Sequence, residues 1–68
     1  MKTLNIHLLS GNIIHVEKFE KIQVLSGKTF TIDNFKDFYL SEGHSYTITG
    51  ANTTVKVISN NVLALLLV

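Results

Sequence analysis

The chain repeats itself with a period of sixteen residues, and this feature limits its fold more tightly than any other in the sequence. Leu9-Ser10-Gly11-Asn12-Ile13-Ile14-His15-Val16 aligns with Leu25-Ser26-Gly27-Lys28-Thr29-Phe30-Thr31-Ile32, and then with Ser41-Glu42-Gly43-His44-Ser45-Tyr46-Thr47-Ile48. The three glycines coincide. So do the apolar columns Ile6, Ile22 and Phe38; Leu8, Val24 and Leu40; Ile14, Phe30 and Tyr46; Val16, Ile32 and Ile48. Self-similarity at a fixed spacing marks one supersecondary unit used several times.

Apolar residues alternate on both sides of the glycine, as in Ile22 and Val24, then Phe30 and Ile32. A period of two is that of a strand with one buried face; a helix needs spacings of three and four. Leu25-Ser26-Gly27 suits a three-residue hairpin loop, with glycine where the backbone turns left-handed and a side chain would clash. That register pairs Ile22 with Phe30 and Val24 with Lys28, and places Ile22, Val24, Phe30 and Ile32 on one face. In the first unit it pairs Ile6 with Ile14 and Leu4 with Val16. The polar links Glu17-Lys18-Phe19-Glu20 and Asp33-Asn34-Phe35-Lys36 each carry one phenylalanine, expected to fold back over the end of the core. After Gly50-Ala51-Asn52 the phase slips by one, so that Val55 and Val57 point in and Lys56 points out. The expected fold is all-β: one domain over residues 1–68, an antiparallel meander of seven or eight short strands forming a small barrel or a two-layer sandwich.

A core built from 68 residues yields only about 3–5 kcal/mol of net stability, and chains of this size usually add disulfides, a metal or a partner. The sequence contains no cysteine, which removes disulfides, thiolate metal sites and cysteine nucleophiles and fits a reducing compartment. Association with another chain is the remaining route. Its position is suggested by Val62-Leu63-Ala64-Leu65-Leu66-Leu67-Val68, which follows the turn-forming pair Asn60-Asn61 and is apolar on both sides if extended. One face can cover the subunit's own core, leaving either Leu63, Leu65 and Leu67 or Val62, Leu66 and Val68 outside. We therefore assign Val62, Leu63, Leu65, Leu66, Leu67 and Val68 to a homo-oligomer interface. A short helix capped by Asn61 is one alternative, and a central strand covered on both faces by loops is another.

Chemistry-bearing residues are sparse. His7 and His15 fall on the outward face of the first hairpin, but no close-spaced ligand motif accompanies them, or His44, and no metal or cofactor is expected. Ser10, Ser26, Ser41, Ser45 and Ser59 lie in or beside turns, where serine is ordinary, and the acids Glu17, Glu20, Asp33, Asp37 and Glu42 are link and turn residues. With no nucleophile beside a base and no phosphate-binding glycine motif, the chain reads as non-enzymatic. The candidate ligand surface comprises His7, His15, Tyr39 and Lys36.

Six lysines against five acids give a net charge of +1, too small to direct binding to nucleic acid or anionic lipid. No arginine is present, so the planar fork that most often reads guanine edges is missing. A single-stranded nucleic-acid-binding β-barrel is the alternative class, on the strength of Lys18-Phe19, Phe35-Lys36 and Phe38-Tyr39. No apolar run approaches the length of a membrane span, and the amino end lacks the pattern of a cleaved signal, so the expected setting is cytoplasmic. The reading favoured by these observations is a binding module working as a homo-oligomer. By analogy, it is the kind of small protein that phages and mobile elements use to block a host factor or sequester a small ligand.

Overall fold

The alternating segments become strands wherever the repeat has a free sheet edge to fill. A computed structural model describes residues 2–25 and 27–68. Among these it places β1 at Leu4–Leu8, β2 at Ile13–Val16, β3 at Phe19–Val24, β4 at Thr29–Thr31, β5 at Ser45–Gly50, β6 at Thr54–Ile58 and β7 at Val62–Leu67. Single 3-10 segments at Ile32–Asp37 and Ser59–Asn61 link β4 to β5 and β6 to β7. Two antiparallel sheets result, in the orders β2-β1-β7 and β4-β3-β5-β6. They face each other without closing into a barrel, which decides between the two expected architectures.

The first two hairpins have the register that the glycines imply. Leu4 pairs with Val16 and Ile6 with Ile14, while Ile22 pairs with Phe30. At the second turn Gly27 has φ +103°, its N–H donates to Val24 O (2.9 Å), and Val24 N–H donates to Lys28 O (2.8 Å). The first turn repeats both bonds, from Gly11 N–H to Leu8 O (3.0 Å) and from Leu8 N–H to Asn12 O (2.9 Å). Ser26, the middle residue of the expected loop, lies outside the described residues.

The third unit departs from the repeat. Residues 38–40 form no strand, because both edges of β5 are already occupied, by β3 and by β6. The chain instead leaves β4 through the Ile32–Asp37 segment, started by Asn34 Oδ1, which accepts the Thr31 N–H at 2.6 Å. Ile32 is drawn out of its expected inward column and is 42% exposed. Phe38 keeps its place beside Tyr46 without pairing to it as a strand: its N–H donates to Phe35 O at 2.9 Å, and its ring meets that of Tyr46 at 5.4 Å between centroids and 79° between planes. The simple meander is also corrected, since β5 pairs with β3 and β7 returns to pair with β1.

One core lies between the sheets. Leu4, Ile6, Val16 and Val62 enter it from the first sheet, and Phe19, Ile22, Val24, Tyr46 and Ile48 from the second. Phe19 closes one end with Phe35 set edge-on against it, centroids 5.8 Å apart, as expected of the two link phenylalanines. Val55 and Val57 are half-buried and Lys56 is exposed, in keeping with the phase slip after Gly50.

The hydroxyl of Ser59, buried between β6 and β7, has no hydrogen-bond partner among the described residues. A buried polar group without a partner costs about 1–3 kcal/mol. Ser59→Ala should therefore raise the urea midpoint, by the equivalent of about 1 kcal/mol. A midpoint at or below that of the parent chain would mean the hydroxyl is hydrated.

Candidate functional site

Two surfaces stand out, and each follows from how a particular strand is placed. The first is built by β7, an edge strand that among the described residues pairs only with β1. Leu8 pairs with Val62 and His7 with Ala64, so Leu63 is an extra residue in the ladder. A bulge of this kind resets the alternation within a strand. Val62 is buried and Leu65 and Leu67 pack against the core, whereas Leu63, Leu66 and Val68 remain 67%, 50% and 63% exposed. Neither alternating set expected from the sequence is realised whole. Val62 is a core residue, and the outward members of the assigned interface are Leu63, Leu66 and Val68. The run is a strand and not a helix because β1 has a second edge to offer it.

Across the outer face of this sheet, Leu66 lies level with Asn5 and His15, and Ala64 lies level with His7 and Ile13. His15 Nδ1 donates to Asn5 Oδ1 at 2.6 Å, fixing one ring nitrogen. The two imidazoles share a face on neighbouring strands but not a row, as the register requires. Among the described residues no group of three or more His, Asp or Glu side chains is placed to hold a metal ion.

The second surface is a cleft of about 360 Å³ beside the second sheet. Its apolar floor is Val24, Phe30, Phe38 and Tyr46, and its polar rim includes Lys28, Asp37, Ser41 and His44. The rings are set edge to face, Phe30 against Phe38 at 5.2 Å and 71°, and Phe38 against Tyr46. Tyr46 Oη is held by the loop, accepting the Ser41 N–H at 2.8 Å and donating to Ser41 O at 3.4 Å. Tyr39, 77% exposed, stands at the cleft margin.

Of the four residues assigned to a ligand surface, Tyr39 alone lines this cleft. Lys36 lies on the Ile32–Asp37 segment outside it, and His7 and His15 belong to the other sheet. Sequence reading placed Phe30 and Tyr46 in the core pattern and left Lys28 and His44 out of the ligand surface. The repeat did hold a signal for these two, since each directly follows a glycine of the sixteen-residue column.

Fold and surfaces together define a two-sheet antiparallel β domain with an uncharged apolar edge strand and an aromatic-floored cleft. No family model, curated protein or solved structure matches this chain.

Proposed function

We propose that the domain is a non-catalytic binding module that acts as a homo-oligomer, with β7 at the contact. The observation carrying this reading is the exposure of Leu63, Leu66 and Val68 on a strand with an unpaired edge. From Val57 to Val68 no side chain is ionisable. Natural edge strands are usually protected by lysine, proline or a covering loop, and β7 carries neither of those residues.

Magnitudes set the strength of such a contact. Each exposed side chain retains roughly half to two-thirds of a full burial worth about 1.5–3 kcal/mol, so three of them offer about 3–5 kcal/mol per subunit. Two copies contribute about twice that, against an association cost of about 4–15 kcal/mol. The contact is therefore modest on side chains alone and gains from backbone pairing along the edge. A module of this kind works by occupying a surface or holding a small ligand, and the comparison with phage and mobile-element proteins that block host factors is an analogy. The absence of cysteine supports placing it in the reducing cytoplasm.

Base stacking has less support. Phe19 and Tyr46 are buried, and Phe30, Phe35 and Phe38 pack against the core, leaving Tyr39 as the one aromatic side chain that is mostly exposed.

Sedimentation equilibrium tests the proposal. The parent chain should give a multiple of 7.6 kDa, Leu66→Asp should give the single-chain mass, and Thr29→Asp on the edge of the other sheet should leave the multiple unchanged. A parent chain that stays at one copy across the micromolar range overturns the reading.

A further inference from the structure

The two turns nearest the cleft come from equivalent positions of the repeat, and the sheet brings them to the same end. Val24 pairs with Tyr46 across β3 and β5, and Leu25 N–H donates to Ser45 O at 3.2 Å. Residues 27–28 and 43–44 therefore flank the end of β3, one on each side, and Lys28 and His44 both line the cleft at that end. Lys28 supplies an ammonium group and His44 an imidazole able to donate a hydrogen bond. Below them the floor is aromatic: Tyr46 is buried with its hydroxyl held by Ser41, while Phe30 and Phe38 are only partly covered and offer ring surface to whatever enters. A volume of about 360 Å³ lies at the small end of the range for ligand pockets.

We propose that this cleft binds a small, flat aromatic carboxylate, its ring on Phe30 and Phe38 and its carboxylate at the Lys28–His44 end. Aromatic rings prefer the offset and edge-on arrangements that a floor of mutually tilted rings provides. The carboxylate gains a charge-assisted hydrogen bond from Lys28, stronger than a neutral one. Asp37, the one acid in the lining, opposes an anionic ligand and limits the site to a single negative group. Tyr39 at the margin presents a further ring to cover the bound one. This site is independent of self-association, since none of its residues lies on β7.

Amide chemical shifts of the full chain, titrated with indole-3-acetate and separately with tryptamine, test the proposal. The two probes share a ring and carry opposite charge. Indole-3-acetate should shift the amides of Lys28, Phe30, Tyr39 and His44 with a Kd of about 1 mM, the scale for so small a ligand, and tryptamine should bind more weakly. Lys28→Gln should weaken indole-3-acetate about fivefold, as expected for loss of one exposed charge partner. Asp37→Asn should strengthen it. Both side chains are exposed, and the unliganded spectra report that the variants remain folded. Shifts absent at 10 mM, equal binding of the two probes, or an unchanged Kd in Lys28→Gln would each overturn the proposal.

Discussion

Gly50→Ala should remove most of the stability of the fold. Gly50 ends β5 against residues 17–18, the link by which the backbone crosses from the first sheet to the second, and a Cβ there meets Glu17 O at 2.5 Å and Val16 Cγ1 at 2.9 Å. The nearer atom is backbone, held by the neighbouring bonds from Phe19 N–H to Lys2 O (2.8 Å) and Ala51 N–H to Lys18 O (3.2 Å). Moving it means moving the sheet junction. Overpacking of a rigid site costs about 1–3 kcal/mol and sometimes more, against a total of about 3–5 kcal/mol for a fold of this size. Gly11→Ala is the matched control. Nothing lies within 4 Å of its added Cβ, but φ is +96°, so it incurs only the left-handed penalty of about 1–2 kcal/mol. Urea titration followed by far-UV circular dichroism separates the two. A Gly50→Ala midpoint no lower than that of Gly11→Ala would show that the junction yields.

Ile48→Ala should be about as damaging, for the opposite reason. Ile48 is fully buried on β5, an interior strand of the second sheet, and pairs with Ile22 on one side and Val55 on the other. Removing a buried isoleucine down to its β-carbon costs about 2–5 kcal/mol, depending on how far the surroundings collapse into the space. Leu66→Ala, on an outward-facing side chain, should cost the isolated subunit less than about 0.5 kcal/mol. Under the self-association proposed above, Leu66→Ala should also flatten the dependence of Tm on protein concentration, because assembly stabilises the folded chain by mass action. A loss below about 1 kcal/mol in Ile48→Ala would mean that the contact between the sheets is not where the stability resides.

The parts of the fold that could be read from the sequence are those encoded locally. Alternation on either side of a glycine decides strand, turn and register together, which is why Ile22 and Phe30, Ile6 and Ile14, and Leu4 and Val16 pair as the repeat demands. Features decided by competition between distant segments could not be read this way. Phe38 and Leu40 carry the strand pattern as well as Ile22 and Val24 do, yet they find no vacant edge once β3 and β6 have taken both sides of β5. The mixed orientation of the last strand depends on one bulge at Leu63, and a bulge leaves no mark in a run where every residue is apolar. Gly50 stands outside the glycine column of the repeat, and that is the only trace in the sequence of the close approach it permits. The cleft was missed because its floor uses residues that belong to the core pattern. Phe30 and Phe38 are partly covered, and partial cover is a property of the neighbours and not of the residue.

The pairing of β1 with β7 also has a kinetic consequence. Leu4 meets Leu67 and Ile6 meets Leu65, so the first sheet is completed by partners nearly the whole chain apart. Such contacts require a large loop to close before they return any free energy, and topologies dominated by them fold on the slow side, in milliseconds to seconds. Until the final strand docks, β1 has an open flank and the leucine-rich segment is loose. The interval in which the chain is most exposed to sticking is thus set by its longest-range contact.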